Sequence, residues 1–83
     1  MKVKVRLFAV LRDKLPADAD GHEVEVDVPE GATPLDVIHR LEIPEELAHL
    51  VMVNGFHLLR DDVRKRTLQA GEVLSIFPPI AGG

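Results

Sequence analysis

Within residues 2–8, apolar and charged positions alternate from Lys2 to Leu7. Val3, Val5 and Leu7 fall on one face, and Lys2, Lys4 and Arg6 on the other. A period of two is the pattern of a half-buried strand. Residues 22–28 repeat it, with Val24, Val26 and Val28 opposed to Glu23, Glu25 and Asp27. The polar faces of the two segments carry opposite charge. An antiparallel register with a constant index sum of 29 sets Lys2 against Asp27, Lys4 against Glu25 and Arg6 against Glu23. It also sets Val3 against Val26 and Val5 against Val24, and complementary cross-strand charges favour it. The charged positions then form a solvated face.

Between these strands, Ala9 to Leu15 suits a short helix ended by Pro16, and Asp18-Ala19-Asp20-Gly21 suits a turn. The clearest helix start follows. Thr33 can cap, Pro34 suits the first helical position, and Asp36 lies near the positive end of the dipole. Leu35, Ile38 and Leu41 give one apolar stripe, and Pro44 limits this helix to about residues 34–42. Pro44 to Leu47 suits one more helical turn. Residues 50–53 are an apolar run. Asn54-Gly55 then signals a two-residue hairpin, with Phe56 to Leu59 returning. That turn pairs Val53 with Phe56 and Val51 with Leu58 on the core face, leaving Met52 and His57 on the other. Arg60 to Thr67 reads as a polar connection, and Gln69 to Glu72 as a turn into a last strand, Val73 to Phe77. Leu74 and Ile76 face inward there; Phe77, on the opposite side, is expected to be exposed beside Met52 and His57. Pro78 and Pro79 donate no ladder hydrogen bonds, so pairing ends before them.

Two strands, a helix and three more strands imply an α+β mixed sheet with one main helix packed across it, the β-grasp or ubiquitin-like arrangement. Its first and last strands lie parallel at the centre. Residues 1–83 make a single domain of this kind, with a tail at about residues 78–83 leaving one edge. The expected core is Val3, Val5, Leu7, Val24, Val26, Ile38, Leu41, Leu74 and Ile76.

Composition narrows the function by removing chemistry. There is no cysteine, which rules out a thiolate metal site, a redox pair and a cysteine nucleophile. Ser75 is the only serine and lies mid-strand. His22, His39, His49 and His57 have no metal-ligand spacing, so no metal site is expected. The acidic pairs Glu45-Glu46 and Asp61-Asp62 are expected to be solvated. Tyr and Trp are absent and the net charge is −4, which argues against nucleic-acid binding. No apolar run approaches membrane-spanning length and no signal peptide opens the chain, so the expected location is the cytoplasm. The chain is not expected to be an enzyme by itself.

What remains is the tail, Pro78-Pro79-Ile80-Ala81-Gly82-Gly83. Two glycines at the end leave nothing to block the approach of an enzyme to the Gly83 carboxylate. The prolines bias the exit toward an extended conformation. Six residues can reach about 20 Å. A carboxylate becomes a useful electrophile once adenylated by ATP, and a sulfur donor can then convert it to a thiocarboxylate.

The segment Phe77-Pro78-Pro79-Ile80-Ala81-Gly82-Gly83 resembles the terminus of the small subunit of molybdopterin synthase, the MoaD family. Leu7-Phe8-Ala9-Val10-Leu11-Arg12-Asp13 is similar to that family's strand-to-helix signature, and Val53-Asn54-Gly55 and Ala70-Gly71-Glu72-Val73 to its later turns. The thiamine-pathway sulfur carriers, the ThiS family, share the fold and the Gly-Gly end. The resemblance implies a sulfur carrier with no bound cofactor, whose Gly83 is activated by an ATP-using, MoeB/ThiF-like adenylating enzyme. It implies that the tail, Ile80 to Gly83, enters a MoaE-like large subunit, with catalysis in these partners. It further implies a partner-binding surface made by Phe77, Pro78, Pro79, Ile80, Met52 and His57, with Arg12 making an ionic contact. His57 departs from the pattern, because the family can place an apolar residue there. Two other readings share parts of this chemistry: a ThiS-like carrier for thiamine or another sulfur-transfer pathway, and a protein modifier whose terminus ends on a lysine. A plain binding module would need no terminal chemistry.

Overall fold

The computed structural model describes residues 1–79. Its five strands are β1 (Lys2–Leu7), β2 (Glu23–Asp27), β3 (Leu50–Val53), β4 (Phe56–His57) and β5 (Val73–Phe77). They form one mixed sheet in the order β2-β1-β5-β3-β4, with β1 and β5 parallel at the centre. This is the β-grasp arrangement. The β1–β2 register is Lys2↔Asp27, Val3↔Val26, Lys4↔Glu25, Val5↔Val24 and Arg6↔Glu23, as the alternation predicts.

The ion pairs on the outer face do not follow that register one to one. Arg6 bonds Glu23 directly across the strands at 2.7 Å. Lys4 also reaches Glu23, at 4.0 Å, and Lys2 reaches Glu25, at 3.7 Å; both are diagonal pairs. Asp27 instead lies 3.3 Å from the amino group of Met1, which also donates to the Val28 carbonyl.

The helix α1 (Pro34–Arg40) crosses the inner face. Thr33 caps it through a full capping box: its hydroxyl accepts from the Asp36 amide, and the Asp36 carboxylate accepts from the Thr33 amide. The buried stripe is Pro34, Val37 and Ile38, not the Leu35, Ile38 and Leu41 row. Leu35 is half-buried and Leu41 packs only partly against the core, because it is the helix C-cap. What ends the helix is a Schellman turn rather than Pro44. Ile43 N–H donates to the Ile38 carbonyl, Glu42 N–H donates to the His39 carbonyl, and Glu42 adopts φ 58°. Ile43 and Ile38 are both buried there.

Three short elements complete the fold. Ala9–Lys14 is a 3₁₀ helix anchored by buried Leu11, and Glu45–Leu47 is a 3₁₀ turn. The stretch expected to be a polar connection contains a helix, α2 (Arg60–Lys65). Its first turn holds Asp61 and Asp62 and its last holds Arg64 and Lys65, which suits the helix dipole. Val63 packs it partly against the core. The buried residues form one core: the expected side chains other than Leu41, together with Leu11, Val28, Ala32, Val37, Ile43, Val51, Val53 and Leu68.

Candidate functional site

The site starts where β5 ends. Leu7 of β1 pairs with Ile76 of β5, so the next residues along, Phe8 and Phe77, leave the central strands side by side. Their rings stack, with centroids 4.1 Å apart and planes within 9°. The His22 ring also lies against Phe8, with centroids 4.9 Å apart and planes tilted by 37°. Ala9 takes φ 53° at the bend that follows Phe8 and turns the chain into its 3₁₀ helix. On the far side, the Phe77 carbonyl accepts from the His49 amide at 3.0 Å. The root of the tail is therefore held through its ring by Phe8, just after β1, and through its backbone by His49, just before β3.

This corrects the expectation for Phe77. It is half-buried rather than exposed, and the β3 residue beside it is Leu50. The reason is that Phe8 covers one face of its ring. Met52 pairs with Ser75 and with His57, one row further into the outer face. Met52 is half-buried and His57 exposed. Phe56, expected on the core face, is 77% exposed. The strand β4 has only two residues and lies at the sheet edge, so nothing covers Phe56. Leu58 does turn inward, and its amide donates to the Val51 carbonyl.

Arg12 is exposed on the 3₁₀ helix, which packs against β1 and β5 at the end where Phe8 and Phe77 meet. Pro78 is half-buried and Pro79 exposed. Ile80, Ala81, Gly82 and Gly83 lie outside the described residues. The outer face has two halves. Across β1 and β2 it is a lattice of paired charges. Across β5, β3 and β4 it carries Val73, Ser75, Phe77, Leu50, Met52 and His57, which are mostly half-buried and bear no carboxylate, lysine or arginine. A groove of about 420 Å³ bordered by Leu35, Leu58, Val63, Glu45 and Arg64 includes His57 but none of the other candidate residues among those described.

The electrostatics away from the tail are structural. Glu23 is held below the usual glutamate range chiefly by its hydrogen bond from Arg6. Glu45 was expected to be merely solvated. It bonds His39 Nε2 at 2.9 Å and lies 3.5 Å from Arg64, and the His39 bond is the main cause of its lowered pKa. Sequence reasoning missed one cluster outright. The buried Glu72 accepts from Arg66 Nη1 at 3.0 Å and Nη2 at 2.7 Å, from the Gln69 amide at 2.7 Å and from Asn54 Nδ2 at 3.4 Å. It ties the 53–55 turn to the 70–73 turn. The joint presence of Asn54-Gly55 and Gly71-Glu72 was the only available signal. No group of three or more His, Cys, Asp or Glu placed to hold a metal occurs among the described residues. No described helix is long and apolar enough to cross a membrane.

Comparison with known proteins decides what this geometry belongs to. The ThiS family matches residues 5–83. The chain belongs to the ThiS family. Several solved structures are similar across the whole ThiS-type fold. The solution structure of the Haloferax volcanii HVO 2177 protein is 28% identical, with TM-score 0.79, over 100% of this chain and 87% of that one. SAMP1 from Haloferax volcanii is 25% identical, with TM-score 0.68, over 100% of both chains. A putative molybdopterin converting factor, subunit 1, from Pyrococcus furiosus is 29% identical, with TM-score 0.64, over 95% of this chain and 98% of that one. No curated protein matches the chain. This chain is thus a ubiquitin-like carrier of the MoaD/ThiS type.

Proposed function

We propose that this ThiS-family protein carries sulfur on its C-terminal glycine and delivers it in molybdopterin biosynthesis, as the small subunit of a molybdopterin synthase. The observation that carries the reading is the family match, which runs through Gly83 itself. Likeness to a molybdopterin converting factor subunit supports the choice of pathway.

The chemistry follows from the tail. The Gly83 carboxylate attacks the α-phosphate of ATP on a MoeB/ThiF-like enzyme; pyrophosphate leaves and an acyl-adenylate forms. A sulfur donor displaces AMP and leaves a thiocarboxylate. The tail then enters a MoaE-like large subunit, where the sulfur is transferred to a pterin precursor. Catalysis resides in these partners, in the cytoplasm, and ATP is bound by the activating enzyme. This chain supplies reach and aim. The stack of Phe77 on Phe8 fixes the root of the tail, and the weakly charged half of the outer face, with Met52, His57 and Phe77, gives the large subunit a surface to dock against. Arg12 and Pro78-Pro79 flank that surface.

A second reading ends the activated terminus on a lysine of another protein, and the likeness to SAMP1 fits it as well. One experiment separates them. Purified protein is incubated with an adenylating enzyme, ATP and a sulfur source, and then with a large subunit and pterin precursor. A mass gain of sulfur for oxygen, lost again on addition of the pterin precursor, supports the carrier. Ladders of larger species support the modifier. Loss of the sulfur only when a thiamine-pathway acceptor replaces the pterin precursor supports a ThiS-like role in thiamine synthesis.

A further inference from the structure

We propose that the Asn54–Gly55 turn is a site of spontaneous deamidation, and that the cluster around Glu72 is the latch that keeps it closed. Asn54 is the chain's only asparagine and is followed by glycine. Both residues are exposed, with φ 51° and 84°, and Gly55 has open space where a side chain would lie. An unhindered glycine amide beside an asparagine carboxamide is the arrangement most prone to cyclise. The Gly55 nitrogen forms a bond to Asn54 Cγ, the Cγ–Nδ2 bond breaks, and Nδ2 leaves as ammonia with the Gly55 proton. Water then opens the succinimide at either carbonyl, giving aspartate or isoaspartate. Water is the only co-reactant.

In this fold the Asn54 carboxamide is engaged by partners other than Gly55. Asn54 Oδ1 accepts from the Val73 amide at 2.9 Å, and Nδ2 points at Glu72 Oε2, 3.4 Å away. The Asn54 main-chain N–H donates to the Val73 carbonyl at 2.8 Å. The carboxamide is thus drawn toward β5, not toward Gly55. Glu72 is itself fixed by the Arg66 fork and the Gln69 amide. Cyclisation requires these bonds to open, so the latch sets its rate. The product does not fit back. An aspartate at 54 puts a second carboxylate beside Glu72. An isoaspartate adds a carbon to a two-residue turn and shifts the Val53↔Phe56 register. Either change loosens Val73, where β5 begins.

The test compares the folded chain with a synthetic peptide spanning residues 50–58 in mildly alkaline buffer at 37 °C. Deamidation is read by mass and mapped by proteolysis; the mass change separates it from isomerisation at Asp20-Gly21, which leaves mass unchanged. The folded chain should deamidate at least about tenfold more slowly than the peptide. Arg66→Ala frees Glu72 from the exposed side and should narrow that gap several-fold while circular dichroism shows the fold retained. Glu72→Gln provides the same test with side-chain shape preserved. Equal rates in folded chain and peptide would overturn the proposal, as would parental rates in both folded variants, or a peptide that does not deamidate at all.

Discussion

Truncating Glu72 to alanine should be among the most damaging single changes away from the hydrophobic core. Its side chain is 11% exposed and that of its partner Arg66 34%. Two charge-assisted bonds from Arg66 and one from the Gln69 amide converge on the carboxylate. Breaking a fully buried ion pair costs about 3–5 kcal/mol. Arg66 is partly wetted and water takes over some of its bonds, while the Gln69 amide loses its acceptor. The expected cost is therefore about 2–3 kcal/mol. At about 4–8 °C per kcal/mol for a domain of this size, Tm should fall by about 10–20 °C. Acid supplies an independent check. The Arg66 hydrogen bonds are the main reason that the Glu72 pKa is lowered, against the opposing effect of burial. A carboxyl whose folded pKa is depressed contributes stability above its unfolded value and loses it as pH falls through the folded value. The gap in Tm between parent and Glu72→Ala should be full at pH 7 and should shrink on acidification below the ordinary glutamate range of about 4.3. Thermal unfolding followed by circular dichroism at several pH values measures both. A Tm at pH 7 within about 2 °C of the parent, or a gap that does not change with pH, would refute the reasoning.

Three further changes test other parts of the account. Glu42 sits at φ 58° as the left-handed residue of the Schellman turn, so Glu42→Gly should raise stability by up to about 1 kcal/mol in chemical denaturation. Thr33→Ala removes the hydroxyl half of the capping box and should cost about 1 kcal/mol by the same measurement. Phe8→Ala removes the ring stacked on Phe77; it should lower stability by about 1–3 kcal/mol and weaken large-subunit binding measured by calorimetry. Binding unchanged in a folded Phe8→Ala protein would remove this corner from the docking surface.

The sheet was legible because its information is local and redundant. Strict alternation in β1 and β2, with opposite charges outside and valines inside, leaves one register that satisfies both faces. Asn54-Gly55 and Thr33-Pro34 name their own backbone geometry, and both turned out as their residue types require. What failed depends on neighbours distant in sequence. The α1 stripe shifted to Pro34, Val37 and Ile38 because Leu41 falls at the C-cap and the sheet beneath the helix, not its spacing alone, selects the buried face. The helix α2 has no apolar stripe to announce it; Val63 and its charge order hold it. Phe56 reads as a core residue until the sheet is seen to end at β4. Phe77 reads as exposed until Phe8, 69 positions earlier, arrives on its face. Gly82 and Gly83 lie outside the described residues, so the reading of the tail rests on residue order alone.

The central claim is that Gly83 is the reacting residue, and deleting it is the most direct test. The deletion leaves Gly82 as the terminus, up to about 3.5 Å short of the reacting position. A misplacement of 1 Å can already cost about 100-fold in rate. The core and the Phe8–Phe77 stack are untouched, so Tm should match the parent. The measurement is the rate of ATP-dependent thiocarboxylate formation on a cognate activating enzyme, followed by intact mass. The account predicts a folded protein whose sulfur uptake falls by about 100-fold or more. Uptake at the parental rate without Gly83 would contradict it.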